Sequence, residues 1–149
     1  MKTALYIAFG IVFVVMIAFY LLGKKSQNGA AIGLLNGALA PCSGKPNCVN
    51  SEAGTPDKFK VKALRNTDIA AVQAAIETLG GVVTKSQNGY LSAEFTSGIF
   101  KFVDDVEARK DGDMVHIRSA SRVGYSDRGV NRARVEAIRT HLDNHLNKK

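Results

Sequence analysis

From Ala4 to Leu22 the chain runs through 19 residues without a charge or a proline. An apolar run of that length is close to the ~20 residues a helix needs to cross a hydrocarbon core. It exceeds the ~7–15-residue core of a cleaved signal peptide. The tripeptide that resembles a cleavage site, Ala38-Leu39-Ala40, is followed by Pro41, which disfavours cutting. The pattern therefore predicts an uncleaved transmembrane anchor over residues 1–23, with Tyr6 and Tyr20 suited to the two membrane interfaces. Residues 24–40, KKSQNGAAIGLLNGALA, read as a flexible Gly-rich linker, and residues 41–149 as one domain. The stretch from Pro41 to Asp57 is dense in turn formers.

Further on, the period becomes helical. Ile69, Val72, Ile76 and Leu79 recur at intervals of 3, 4 and 3, which makes one apolar face. Asn66 or Thr67 can cap this helix, Asp68 suits its positive end, and Gly80-Gly81 end it. Asn88-Gly89, between two β-like runs, is a type I′ hairpin signal. Ser97-Gly98 and Asp111-Gly112 mark two further tight turns. With two-residue loops at all three, Glu94 faces Lys101, Asp104 faces Ser119, Asp105 faces Arg118 and Glu107 faces His116. One face then carries Val82, Leu91, Ala93, Phe95, Phe100, Phe102, Val106, Ala108, Val115 and Ile117. The other carries Lys85, Glu94, Lys101, Asp105, Glu107, His116 and Arg118. This is the pattern of a four-stranded antiparallel meander with one buried face.

A second helical period runs from about Gly129 to Leu146, with Ser126 or Asp127 as its cap. Asn131, Val135, Ile138, Leu142 and Leu146 share the inward stripe. Arg132, Glu136, Arg139 and Asp143 form a ladder of opposite charges on the outside. The expected fold class is α+β: after the transmembrane helix, a two-layer domain of order αββββα with both helices on the apolar face of the meander.

Charge adds a direction to this picture. The net charge is +7, and every charged side chain except Lys2 lies beyond the apolar run. A basic domain at a membrane suits an anionic small molecule, a lipid headgroup or a partner protein. Lys24 and Lys25 beside the run favour a cytoplasmic domain by the positive-inside rule. Cys42 and Cys48 point the other way if they are bonded, because a disulfide persists in an oxidising compartment. A zinc site joining them to His141 and His145 is the alternative, although the spacing misses the pattern of structural zinc. No metal and no cofactor is expected.

The densest polar stretch is RSASRVGYSDRGVNRARVE, Arg118 to Glu136. Arg118 has Asp105 and Arg132 has Glu136 as expected partners. Arg122 and Arg128 have none, and they flank a loop that leads into a helix N-terminus, a natural anion site. Asp104 falls on the apolar face, where a carboxylate is costly unless bonded. It should share a network with Ser119, Ser121, Asn131 and an arginine. Ligand-binding candidates are accordingly Arg118, Ser119, Ser121, Arg122, Asp127, Arg128, Asn131 and Arg132. Asp104 is a weak catalytic candidate. GxSxG, HExxH, P-loop and GxGxxG patterns are absent from the sequence. The basic stretch carries one aromatic, Tyr125, and no nucleic-acid motif, so nucleic acid is not the expected partner.

Three blocks carry a resemblance: PCSGKPNCVNS from Pro41, FKFVDDVEAR from Phe100, and RSASRVGYSDRGVNRARVEAIR from Arg118. Together they resemble the domain-of-unknown-function family 1499, from about Leu39 to the C-terminus. The resemblance implies a domain found in bacteria and plastids, often behind a signal or membrane segment, with Cys42 and Cys48 bonded. It implies no activity. The sequence reading is thus a single-pass protein whose domain faces the periplasm or another exported space, with the cytoplasmic orientation as the alternative. Its function is that of an envelope accessory or binding module with an anion- or partner-binding loop before the last helix. A hydrolase or transferase using Asp104 with Arg122 and Arg128 is a second reading, and an inert structural scaffold a third.

Overall fold

Helix α1 (Lys2–Gln27) takes in the whole apolar run, two residues before it and five after it. A computed structural model describes residues 2–146 of the chain. Among them, α1 is the one helix long and apolar enough to cross a membrane. Its residues are exposed as far as Leu22, whereas Gly23 and Ser26 are buried. There the helix meets the domain: Ser26 Oγ accepts the Val103 N–H at 3.1 Å, and Gln27 donates to the Lys101 carbonyl at 3.2 Å. A Cβ on Gly23 would stand 1.9 Å from the Phe100 carbonyl oxygen, so the approach requires glycine. Residues 28–40, expected as a flexible linker, lie along the domain. They include a short hairpin, β1 (Leu34–Leu35) with β2 (Ala38–Leu39). Gly33 N–H bonds Glu107 and Leu39 N–H bonds Glu52.

The turn-rich stretch contains β3 (Cys48–Asn50), and β4 (Leu64–Arg65) follows it. Both pair antiparallel with β8 (Met114–Ser121), at different positions along it. The predicted meander of β5 (Val82–Gln87), β6 (Tyr90–Thr96), β7 (Val103–Asp111) and β8 is therefore part of a larger sheet. That sheet has six strands, in the order β3-β8-β7-β6-β5 with β4 also on β8. Strands of two or three residues are too short to leave an alternation in the sequence.

Turn chemistry sets the register. Asn88 and Gly89 both have positive φ, 51° and 73°, as a type I′ turn demands. The other two turns depart from expectation. The β7–β8 turn centres on Gly112-Asp113, with Gly112 at φ 54°, so the partners slip by two residues. Glu107 faces Arg118, Asp105 faces Ala120 and Asp104 faces Ser121. Between β6 and β7 the chain makes a longer loop, residues 97–102, closed by Ser97 N–H to the Phe102 carbonyl and Phe102 N–H to Ser97 Oγ. Glu94 consequently faces Asp105 and not Lys101. Slips of two and four keep each side chain on its face, because the strand period is two. Two places break that rule. A bulge between Val83 and Lys85 turns Val83 to the core and leaves Val82 exposed. Phe100 and Phe102 leave the core for the loop, where their rings pack on Phe19 at 5.3 and 6.1 Å.

Helices α2 (Ile69–Thr78) and α3 (Val130–Leu146) cover the apolar face. The α2 cap is Asp68, whose carboxylate accepts the Ala71 N–H at 2.8 Å, and not Asn66 or Thr67. Val72, Ile76, Leu91, Val106, Ile117, Val135 and Ile138 are fully buried between sheet and helices. Each such side chain contributes about 1.5–3 kcal/mol by leaving water. The Leu146 side chain, last in the expected stripe, lies outside the described residues. The opposite face was expected to meet solvent. Instead Glu107 is fully buried, and Asp105 and Arg118 are each 6% exposed, beneath the last turn of α1 and residues 28–40.

Candidate functional site

Alternation along β7 and β8 sends the candidate residues to opposite faces of the sheet. Asp104, Ser119 and Ser121 point to the helix side. Asn131, fully buried in the first turn of α3, joins them: Ser119 Oγ donates to Asn131 Oδ1, and Asn131 Nδ2 donates to Ser121 Oγ and to the Asn47 carbonyl, both at 3.0 Å. The guanidinium of this network comes from Arg134. It donates to Asp104 at 2.9 Å, Asn131 at 2.7 Å and Ser119 at 3.1 Å, and lies over the Phe95 ring. The sequence calls for an arginine here without indicating that it is Arg134. Its spacing of three from Asn131, one step along the same helix face, was the available signal.

The other face holds a second set of charges. Arg122, expected to lack a partner, is 6% exposed at its side chain and donates to both Asp105 oxygens, at 2.8 and 2.7 Å, to Glu94, and to the Ser26 carbonyl. The bonds to Asp105, reinforced by Glu94 and outweighing burial, hold its pKa well above the ordinary guanidinium value. Arg118 pairs with Glu107 at 2.9 Å and not with Asp105. Glu107 also accepts the Tyr90 hydroxyl at 2.7 Å. Burial and this carboxylate push the Tyr90 phenol up. Farther along, Arg109 grips Glu52 through two bonds of 2.6 and 2.8 Å. Asp104, bonded to Arg134, and Asp105, bonded to Arg122, thus point to opposite faces of β7.

The loop before α3 is also closed on itself. Asp127 accepts the N–H groups of Gly129 at 2.9 Å and Asn131 at 2.7 Å, so the chain's own carboxylate fills the place expected for an anion. Burial pushes this carboxyl up, but the N–H bonds outweigh it and leave it below the usual carboxylate range. Arg132 bonds the Lys58 and Lys60 carbonyls, and Glu136 is paired with Arg139. Arg128, exposed and at φ 55°, is the candidate whose side chain makes no hydrogen bond among the described residues. Cys42 and Cys48 form a disulfide, which removes them from a zinc site with His141 and His145. That bond fixes Asn47, whose carbonyl accepts from both Ser121 N–H and Asn131.

A groove of about 430 Å³ opens beside the first network. Asp104 and Ser121 line its polar side. Phe102, Val123, Tyr125 and Val130 line the rest, and Phe19 and Leu22 of α1 complete it. Nothing in the sequence pattern foretold that the anchor helix would contribute a wall. A broader hollow of about 770 Å³ lies among Lys60, Lys62, Arg65, Met114 and Arg139, and includes none of the ligand-binding candidates named from sequence. Its Arg139 guanidinium is taken up by the Lys62 and Ala63 carbonyls.

Compared with known protein families, residues 38–142 match the family described as "Protein of unknown function (DUF1499)". No curated protein matches the chain.

Proposed function

Because the chain belongs to the DUF1499 family, a description that names no activity, we propose its function from the site itself: a membrane-anchored envelope module that holds an amphipathic molecule in the groove between α1 and the loop before α3. The observation that carries this reading is the lining. Phe19, Leu22, Phe102, Val123 and Val130 offer an apolar trough, and Ser121 and Asp104 offer polar atoms at one side. Sites for small amphipaths combine a mostly apolar wall with a few placed polar groups. The guanidinium groups of Arg118, Arg122, Arg132 and Arg134 are engaged with protein partners, and Arg128 is not among the residues that line the groove. The ligand is accordingly a neutral acyl compound with a hydroxyl-bearing head rather than a free anion. The disulfide supports an exported location for the domain.

Photolabelling tests this. The full chain in vesicles is exposed to a monoacylglycerol carrying a diazirine on its acyl chain. Adducts are expected at Phe102 and on residues 123–125, and Val123→Trp, which fills the trough, should lower them about tenfold, the effect of ~1.4 kcal/mol in binding. Labelling spread evenly along α1 and indifferent to Val123→Trp would sink the proposal.

A further inference from the structure

The β6–β7 loop carries an isoleucine that no part of the protein covers. Ile99 is 83% exposed, the highest value among the exposed large hydrophobic residues of the described chain. The neighbouring Phe100 and Phe102 rings pack on Phe19. Phe19 sits three residues before Leu22, the end of the apolar run, which is about 4.5 Å of helix rise on the anchor side of it. The Phe100 backbone touches Gly23. The loop tip therefore lies level with the end of the apolar run, and its aromatic rings reach below it. Tyr125 at 72% and Val130 at 49% exposure share the groove with Phe19 and Leu22, so they belong to the same end of the domain. Directly above, α1 places Lys24 and Lys25, suited to phosphate headgroups.

We propose that this end of the domain is seated in the bilayer: the tip of the 97–102 loop, with Ile99 foremost, enters the interfacial layer beside α1, and Tyr125 lies at the headgroup level. The occupant of the exposed apolar surface is the membrane that α1 itself crosses. Contact between the loop rings and Phe19 makes the two apolar surfaces continuous, so a bilayer that surrounds the helix through Leu22 necessarily reaches the loop. The groove mouth then opens toward lipid. The inference rests on α1 being the membrane span, the premise also of the proposed function.

The chain contains no tryptophan, so single substitutions make clean reporters. Ile99→Trp, Tyr125→Trp, Val12→Trp and Asp113→Trp are made in the full chain and placed in vesicles containing lipids brominated on the upper acyl chain. Asp113 follows β7, which leads away from the anchor for nine residues, about 30 Å of strand. Quenching by about half or more is expected at Ile99→Trp and at the interfacial Tyr125→Trp, and near none at Asp113→Trp. With Val12→Trp quenched by deeply brominated lipid, an unquenched Ile99→Trp overturns the seating while leaving the anchor intact. Equal quenching at Asp113→Trp also overturns it, since the domain would then lie flat. An unquenched Val12→Trp removes the anchor and the seating together. Ile99 makes no burial contact in the fold, so its substitution leaves folding unchanged; Tyr125→Trp gives the second, independent reading.

Discussion

Glu52 shows how one side chain ties a loose segment to the sheet. It accepts from Leu39 N–H at 2.9 Å and is held by Arg109 through two bonds. Burial raises its pKa, but Arg109, the Leu39 N–H and the nearby His116 outweigh that and bring it below the usual 4.5. A carboxyl whose folded pKa is depressed contributes stability that is complete above its unfolded pKa and is lost as pH falls through the folded value. Thermal melts should accordingly show an extra loss of stability below about pH 4.5, the unfolded carboxyl range, and Glu52→Gln should flatten that part of the profile. An unchanged slope in the variant would show that Glu52 is not the titrating group. Glu107 is a different case. Its pairing with Arg118 is buried on both sides, and such pairs do little for net stability, although removing one partner alone costs about 3–5 kcal/mol. Arg118 Nε is buried without a hydrogen-bond partner among the described residues, a residual cost of holding this geometry. At this scale the sequence marked Asp104 and Asn131 correctly as members of a polar network, because an ionised or amide group on an apolar stripe must find partners. It could not name Arg122 as a clamp, because its partners Asp105 and Glu94 depend on the register.

Among the elements, α1 depends most on contacts remote in sequence. It meets the domain through Gly23, Ser26 and Gln27, and through Arg122 bonding the Ser26 carbonyl at 3.0 Å. Gly23→Leu places side-chain atoms where the Phe100 carbonyl stands. Overpacking of this kind costs about 1–3 kcal/mol, spent here on undocking the helix and not on the domain core. Limited proteolysis of the full chain should then cut within residues 24–40 several times faster, while the core circular-dichroism signal stays unchanged. Equal cutting rates would mean that α1 is not docked at Gly23. The hairpins make a contrast. Asn88-Gly89 was legible because positive φ at both positions singles out these residues. Asp111-Gly112 and Ser97-Gly98 were located to within a residue or a loop, yet their registers slipped, since one glycine suits either the first or second central position and Ser97 closes a wider loop through its side chain.

For the whole molecule, the disulfide is the strongest pointer to a compartment. Alkylating intact cells, with and without prior reduction, should show Cys42 and Cys48 protected until reduced. Free thiols would put the domain in the cytoplasm and withdraw the envelope reading. Loss of the bond should destabilise the domain by about 2–2.5 kcal/mol on the loop-entropy estimate, because it closes a span of six residues that also positions Asn47 and β3.

The sequence by itself determined the apolar helix, the two amphipathic helices, the meander and, outside the bulge at Val83 and the 97–102 loop, which side chains share each face of it, because these follow from local periods of 3.6 and 2 that need no knowledge of the rest of the chain. It also placed Asp104, Ser119, Ser121 and Asn131 together, since even slips of register preserve a face. Only the tertiary structure decided that the charged face is buried, that Arg122 is a brace and not a free cation, and that α1 forms one wall of the groove. Whether a charged residue meets water depends on which distant segment comes to lie over it. Here residues 28–40 and the last turn of α1 do so through single hydrogen bonds to Glu107, Glu52 and Val103, which leave no periodic trace in the chain.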